Sequence, residues 1–282
     1  MKSETKILSS GHSIPIIGLG TWQLTGLTCE EAVRSALTIG YRHIDTAEMY
    51  GNHTEIGNVL KAKEMNTGKE RENLFLTSKI WQENLTRKKV LERCDKALNE
   101  LQTDYLDLLL IHWPSDSIPI EETMAAFGEL VDNGKVRSIG VSNFIRRRVK
   151  EAVEASEKPV VINQVECHPY LNQNRLKEFC KELEVDMTAY SPLARNKIVK
   201  DTTIREIAEG KGKHPAQIAL RWQIQRGIVV IPKASTEDHL QTNAEVFGWE
   251  LNDEEMARIT AIENSHRERL LDPGFTDFSE DE

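Results

Sequence analysis

The stretch Leu106-Asp107-Leu108-Leu109-Leu110-Ile111, followed at once by His112-Trp113-Pro114, decides how the 282-residue chain folds. A strand with one wet face alternates polar and apolar residues, whereas this run is nearly continuous in apolar ones. That pattern belongs to a parallel strand covered by helices on both faces. Apolar runs of the same kind recur on either side of it, each followed by a segment of helical periodicity. Upstream, the spacing predicts strands at 16–19, 41–45 and 74–78, followed by helices at 28–39, 55–63 and 87–101. Thr28 and Glu31 stand in capping-box spacing. Downstream, a helix at 120–131 ends at Asn133-Gly134, and strands follow at 137–141, 160–165, 186–189 and 227–231. Their helices run on to 155, then over 175–183, 203–209 with 215–225, and 237–247 with 253–262.

Eight strands, each followed by a helix and joined by short turns, predict an α/β fold of one domain over residues 1–282, a closed (β/α)8 TIM barrel. Alternating residues at 5–17 around Ser10-Gly11-His12 predict an N-terminal β-hairpin ahead of the barrel, placed to plug one end. From about 270 the chain mixes Pro273-Gly274 with Phe275 and Phe278 and ends in acids, the composition of a flexible tail able to close over a pocket.

Composition narrows the function. The formal charge of -9 lacks the basic face that nucleic-acid or anionic-membrane binding requires, so a phosphate-bearing ligand needs a local positive site. Polar residues occupy the place of a secretory apolar core, and no apolar run approaches the ~20 residues of a membrane span. A cytoplasmic monomer acting on a small molecule is expected. Cys29, Cys94, Cys167 and Cys180 are widely spaced, and neighbours such as Cys167 and His168 point to opposite faces of a strand, so no metal is expected.

The chemistry of such barrels sits at the carboxyl ends of the strands. Those positions hold Asp45, Lys79, His112, Ser142-Asn143, Gln164, Tyr190 and Lys233, with Tyr50 five residues beyond Asp45. Each alone has an ordinary structural explanation; together on one rim they form a scheme for carbonyl reduction. A free phenol has pKa ~10 and holds its proton tightly near neutrality, and a nearby ammonium would lower that value. Lys79 is the candidate ammonium, Asp45 the carboxylate that keeps it charged in a dry site, Tyr50 the proton donor, and His112 the group that polarises the carbonyl oxygen.

At these residues the chain resembles the aldo-keto reductase family over nearly its full length. The resemblance lies in Gly18-Leu19-Gly20-Thr21-Trp22, His43-Ile44-Asp45-Thr46-Ala47 with Tyr50-Gly51, Leu110-Ile111-His112-Trp113-Pro114, Ile139-Gly140-Val141-Ser142-Asn143-Phe144, Asn163-Gln164-Val165-Glu166, Ala189-Tyr190-Ser191-Pro192-Leu193 and Ile231-Pro232-Lys233. It implies that Asp45, Tyr50, Lys79 and His112 form a catalytic tetrad and that the hydride donor is NADPH. By the same resemblance the nicotinamide stacks on Tyr190, and its carboxamide is held by Ser142, Asn143 and Gln164. Ser191, Leu193 and Arg195 lie along the pyrophosphate, Thr21 and Trp22 line the nicotinamide side, and Asn243 faces the adenine. Trp22, Trp81 and Trp113 wall an open substrate pocket. Short connections after His112 and Tyr190 resemble compact prokaryotic members such as 2,5-diketo-D-gluconate and methylglyoxal reductases.

The family grips the adenosine 2'-phosphate after the eighth strand, where this chain has Lys233-Ala234-Ser235-Thr236 leading into a helix. The family's serine and arginine are replaced here by Ala234 and His239. Ser235 and Thr236 compensate for the first loss, but a histidine of ordinary pKa ~6.5 is mostly neutral at pH 7 and lacks the guanidinium fork. NADPH binding with weakened discrimination against NADH is therefore expected. A Rossmann reading of Gly18-Leu19-Gly20 fails because Gln23 stands where the third glycine belongs. Two other functions remain open at this point: a Schiff-base lyase using Lys79, and a non-catalytic nicotinamide-binding redox sensor.

Overall fold

The computed structural model describes residues 4–281, so residues 1–3 and Glu282, the end of the expected tail, lie outside it. An antiparallel hairpin, β1 (Thr5–Ile7) with β2 (Ser13–Pro15), precedes eight parallel strands. These are β3 (Leu19–Gly20), β4 (His43–Asp45), β5 (Phe75–Ile80), β6 (Leu106–Ile111), β7 (Val136–Ser142), β8 (Val160–Glu166), β9 (Asp186–Tyr190) and β10 (Val229–Val230), paired in chain order. Parallel bridges Ile17↔Val230 and Gly20↔Lys233 close β3 onto β10. Closure depends on Gly20, because a Cβ there would lie 2.5 Å from the Ile231 carbonyl oxygen.

The run that decided the fold is β6, buried along its whole length between β5 and β7. Its one polar residue, Asp107, is matched rather than exposed. Arg71 pairs with it at 2.7 Å, Arg137 approaches to 3.3 Å, and its carboxylate accepts the Leu76 N–H at 2.9 Å. The helical ring comprises α1 (Gly26–Ile39), α2 (His53–Ala62), α3 (Gly68–Glu72), α4 (Arg87–Leu101), α5 (Ile120–Asp132), α6 (Arg146–Glu154), α7 (Asn174–Glu182), α8 (Thr202–Lys211), α9 (Pro215–Gln225), α10 (Glu237–Ala244), α11 (Asp253–Thr260) and the short α12 (Ile262–Ser265). In α4 the buried residues Val90, Cys94, Ala97, Leu98 and Leu101 recur every three or four positions, which turns one stripe inward. No helix among the described residues is long and apolar enough to cross a membrane.

The structure corrects several expectations. Helix α1 begins at Gly26, two residues before the supposed cap, so Thr28 lies inside its first turn and makes no capping box with Glu31. The Gly26 N–H is instead met by Glu55 at 3.2 Å. Helix α3, which carries Arg71, was not expected because five residues give no periodicity to read. The eighth strand is only two residues long, and α10 stops at Ala244.

The hairpin plugs the amino-terminal end of the barrel, as expected. Lys6 pairs with Asp186 at 2.6 Å and donates to the Gly227 carbonyl at 2.9 Å, and the Ser10 and Ser138 hydroxyls lie 2.8 Å apart. At the tail, Phe275 packs on Trp81 and Trp113 at ring separations of 6.1 and 5.8 Å, across the opposite mouth.

Within the barrel His43 packs edge-on against Phe75, and its Nε2 lies 3.1 Å from the Thr77 hydroxyl. Burial pulls its pKa from 6.5 to about 4, although the nearby Asp45 charge opposes the shift. With the folded value below the unfolded one, the unfolded chain takes up the proton first as pH falls. Stability should therefore decline between pH 6.5 and about 4, by about 3 kcal/mol from this group. Urea midpoints of wild type and His43→Gln at pH 7 and pH 4.5 check it. The variant should lose less stability on acidification, and an equal loss in both proteins would refute the assignment.

Candidate active site

The carboxyl ends of β4, β5 and β6 deliver three of the four tetrad candidates. Asp45 ends β4, Lys79 is next to last in β5, and His112 follows β6 directly. Tyr50 arrives from a 3-10 turn, Glu48–Tyr50, which closes at Gly51 with a left-handed φ of 64°. All four meet. Lys79 is 1% exposed, and its Nζ donates to Asp45 Oδ1 at 2.6 Å, to the Thr46 carbonyl at 2.9 Å and to the Tyr50 hydroxyl at 3.4 Å. Three donated bonds use the three N–H groups of an ammonium, so the geometry suits the charged lysine. Asp45 Oδ2 accepts from Gln164 Nε2 at 2.7 Å, which locks the carboxylate. The His112 ring stands 5.6 Å from that of Tyr50 and 5.3 Å from that of Trp81, edge-on to both.

The electrostatics differ from the expected scheme in one respect. Burial, and then the charge of Asp45, hold the Tyr50 phenol well above its ordinary 10. The ammonium does not depress it, because Asp45 largely cancels the lysine charge and the site is dry. Burial likewise draws Lys79 below the ordinary lysine range while Asp45 pushes back. Burial, and then Lys79, keep His112 well below 6.5 and therefore neutral, and its Nδ1 has no protein partner among the described residues. The mouth thus presents a protonated phenol and a neutral imidazole. Both can donate a hydrogen bond to a carbonyl oxygen.

Beside them the strand ends of β7, β8 and β9 form a linked polar set. Ser142 Oγ donates to the Gln164 carbonyl at 2.7 Å, Asn143 Nδ2 donates to the His112 carbonyl at 2.9 Å, and the Tyr190 hydroxyl donates to Asn143 Oδ1 at 2.7 Å. Gln164 keeps its side-chain carbonyl oxygen, and Ser142 keeps a lone pair. That donor and acceptor set, next to the Tyr190 ring, fits a planar carboxamide-bearing heterocycle. Thr21 is fully buried, and its hydroxyl donates to the Asp45 carbonyl at 2.9 Å, so it braces β3 against β4.

The remaining candidates lie further out. Ser191 and Leu193 are half-buried beyond β9, and the Arg195 guanidinium sits 5.6 Å over the Trp22 ring, joining two loops. Lys233, Ser235, Thr236 and His239 are exposed at the start of α10, where the Thr236 hydroxyl caps the helix by accepting the His239 N–H. Asn243 is buried in the same helix. Trp81 and the buried Trp113 flank the mouth, and Phe275 packs against both.

Comparison with known proteins places the chain in a family. The profile of the Aldo/keto reductase family matches residues 16–264. The chain belongs to that family. It is 40% identical to aldo-keto reductase family 4 member C11 of Arabidopsis thaliana, over 92% of this chain and 89% of that protein. It is 38% identical to the glyoxal reductase of Bacillus subtilis (strain 168), over 94% of each chain. The crystal structure of an aldo/keto reductase from Brucella melitensis superposes with a TM-score of 0.87 at 38% identity, covering 93% of this chain and all of that one. As an aldo-keto reductase, the protein is an oxidoreductase of a family that reduces carbonyl groups.

Three residues that shape this aldo-keto reductase site carried no assigned role in the sequence reading. Glu48 accepts the Trp81 N–H at 2.6 Å and Asn84 Nδ2 at 2.9 Å, tying the Tyr50 turn to the loop after β5. Asn52 donates to the carbonyls of Thr21 and Leu24 and accepts from Thr46 at 2.6 Å, which holds the loops after β3 and β4 together. Their signal was only a buried type of polar residue within a tight loop. The third, Glu166, ends β8 with a fully buried carboxylate.

Proposed function

We propose that this aldo-keto reductase uses NADPH, with weakened discrimination against NADH, to reduce aldehydes and ketones to alcohols, with Tyr50 as the proton donor. The observation that carries this reading is the buried Lys79 ammonium, shared among Asp45, Thr46 and Tyr50 beside a neutral His112. A bound nicotinamide supplies the hydride that adds to the carbonyl carbon. The chain's own residues do the rest. His112 and Tyr50 donate hydrogen bonds that orient and polarise the carbonyl oxygen, and Tyr50 gives its proton to that oxygen as charge gathers there. A developing alkoxide is a stronger base than a phenolate, so a phenol held above 10 still transfers its proton downhill. The phenolate left behind lies against the Lys79 ammonium, whose charge Asp45 secures.

In this reading Ser142, Asn143 and Gln164 orient the carboxamide and Tyr190 stacks on the ring, while Thr21 and Trp22 bound the nicotinamide side. Ser191, Leu193 and Arg195 follow the pyrophosphate, Asn243 serves the adenine, and Lys233 with Ser235, Thr236 and His239 receives the 2'-phosphate. The shared ammonium also weighs against a Schiff-base lyase, which needs a neutral, nucleophilic lysine.

A relative bears the name glyoxal reductase, so small dicarbonyl compounds head the panel of aldehydes and ketones to be tried with each cofactor. Reduction should be seen with NADPH, and kcat/KM with NADH should lie within about 100-fold of it. His239→Arg should raise the NADPH-to-NADH ratio about tenfold by restoring a charge-assisted fork. A wild-type preference of several orders of magnitude, or an unchanged ratio in the variant, would remove the role given to His239.

A further inference from the structure

Glu166 is the strongest unassigned feature of the barrel mouth. Its carboxylate accepts the backbone N–H groups of Leu270 at 2.6 Å and Leu271 at 2.8 Å, and it lies 2.9 Å from His168 Nε2. A buried carboxylate is costly unless its oxygens are matched, and here two of its partners come from a segment more than 100 residues away. Beyond that grip the tail runs over the mouth. The Arg269 guanidinium lies 3.7 Å over the Phe278 ring, Phe278 meets Trp113 at 6.3 Å, and Phe275 meets both Trp113 and Trp81. Trp81 then touches His112, whose ring meets Tyr50. An unbroken file of edge-to-face rings therefore connects the tail to the reacting groups.

We propose that Glu166 is a positioning residue: by holding the backbone at Leu270 and Leu271 it sets Phe275 against Trp81 and Trp113, completing an aromatic wall beside His112. The wall favours carbonyl compounds with a flat apolar end over small hydrophilic ones. This rests on the reductase reading above. Phe275 is 43% exposed and meets the barrel edge-on at Trp81 and Trp113, so its place depends also on the tail's backbone anchors. Glu268 contributes a second anchor through its N–H to the Tyr170 carbonyl at 2.9 Å, but that bond lies upstream of the turn toward the mouth. A ring packed edge-on against such a wall gains about 1 kcal/mol, enough for a several-fold to tenfold discrimination.

The test uses the full chain as wild type, Glu166→Gln, Phe275→Ala and the double variant, with benzaldehyde and glyceraldehyde as substrates. In Glu166→Gln the Leu270 and Leu271 amides should exchange with deuterium at least about tenfold faster. KM for benzaldehyde should rise about tenfold, with KM for glyceraldehyde, both kcat values and the NADPH Kd within about threefold of wild type. Phe275→Ala should reproduce that split, and the double variant should add nothing to it, because both act through one ring. Retained amide protection, an equal loss on both substrates, additive effects, or a weakened NADPH Kd that accounts for the change would each overturn the proposal. Phe275→Ala decides the wall by itself if Glu166→Gln does not fold. Absence of turnover with either substrate in wild type would defeat the reductase reading, whereas turnover of both with no split in the variants defeats the wall alone.

Discussion

Tyr50→Phe is expected to lower kcat for carbonyl reduction by about 1,000-fold, or about 4 kcal/mol, while NADPH binds within about threefold of its wild-type Kd. The hydroxyl is the only group removed. Its protein partner is the Lys79 ammonium at 3.4 Å, and the ring's edge-on contact with His112 survives in phenylalanine. The fold should persist, because Lys79 keeps Asp45 and the Thr46 carbonyl. What is lost is the proton that must reach the oxygen as the carbonyl carbon is reduced. His112 is a poor substitute: it is neutral, and giving up its N–H would create an anion in a buried site. Steady-state rates with a reducible aldehyde, set beside a fluorescence titration with NADPH, separate the two effects.

Lys79→Met should cost about as much in rate and, unlike Tyr50→Phe, should also weaken the fold. It leaves the Asp45 carboxylate 1% exposed, with Gln164 as its remaining side-chain partner. Breaking one side of a buried pair typically costs about 3–5 kcal/mol, because the other charge stays in place without compensation. Lys79→Met combined with Asp45→Asn removes both charges, so the double variant should recover to within about 1 kcal/mol of wild type and remain inactive. Urea unfolding of the single and double variants reads the stability, and aldehyde-dependent NADPH oxidation reads the rate. A single variant as stable as wild type, or an active double variant, would show that the pair is not built as described.

The barrel was legible wherever burial imposes a strong pattern. Strand β6 and helices α4 and α9 fall on the predicted residues, because an unbroken apolar run or a one-sided stripe has sharp edges. The start of α1 was misplaced because Glu55, from another helix, serves its first N–H group instead of a local side chain. The two-residue β10 shows the same limit, since bridges to β3 finish what strand pairing does not. In the site, four residue types on one rim could be read in order along the chain. Their protonation could not, because burial outweighs the ammonium at Tyr50, and burial emerges only from the folded mouth. Glu166 was visible as part of a motif but silent in role, since the amides it holds follow about a hundred residues later and lie in a segment that composition marks as a tail.

The central claim, that the buried lysine and the phenol beside it serve proton transfer to a reducing carbonyl, is tested most directly by a single turnover. Wild type and Tyr50→Phe, each loaded with one equivalent of NADPH, are mixed with excess aldehyde, and absorbance and alcohol are followed together. The account predicts that wild type converts its bound NADPH with one alcohol formed per equivalent, and that Tyr50→Phe keeps its NADPH about 1,000 times longer. Equal rates in the two proteins, or bound NADPH that wild type never spends on any aldehyde or ketone, would contradict it.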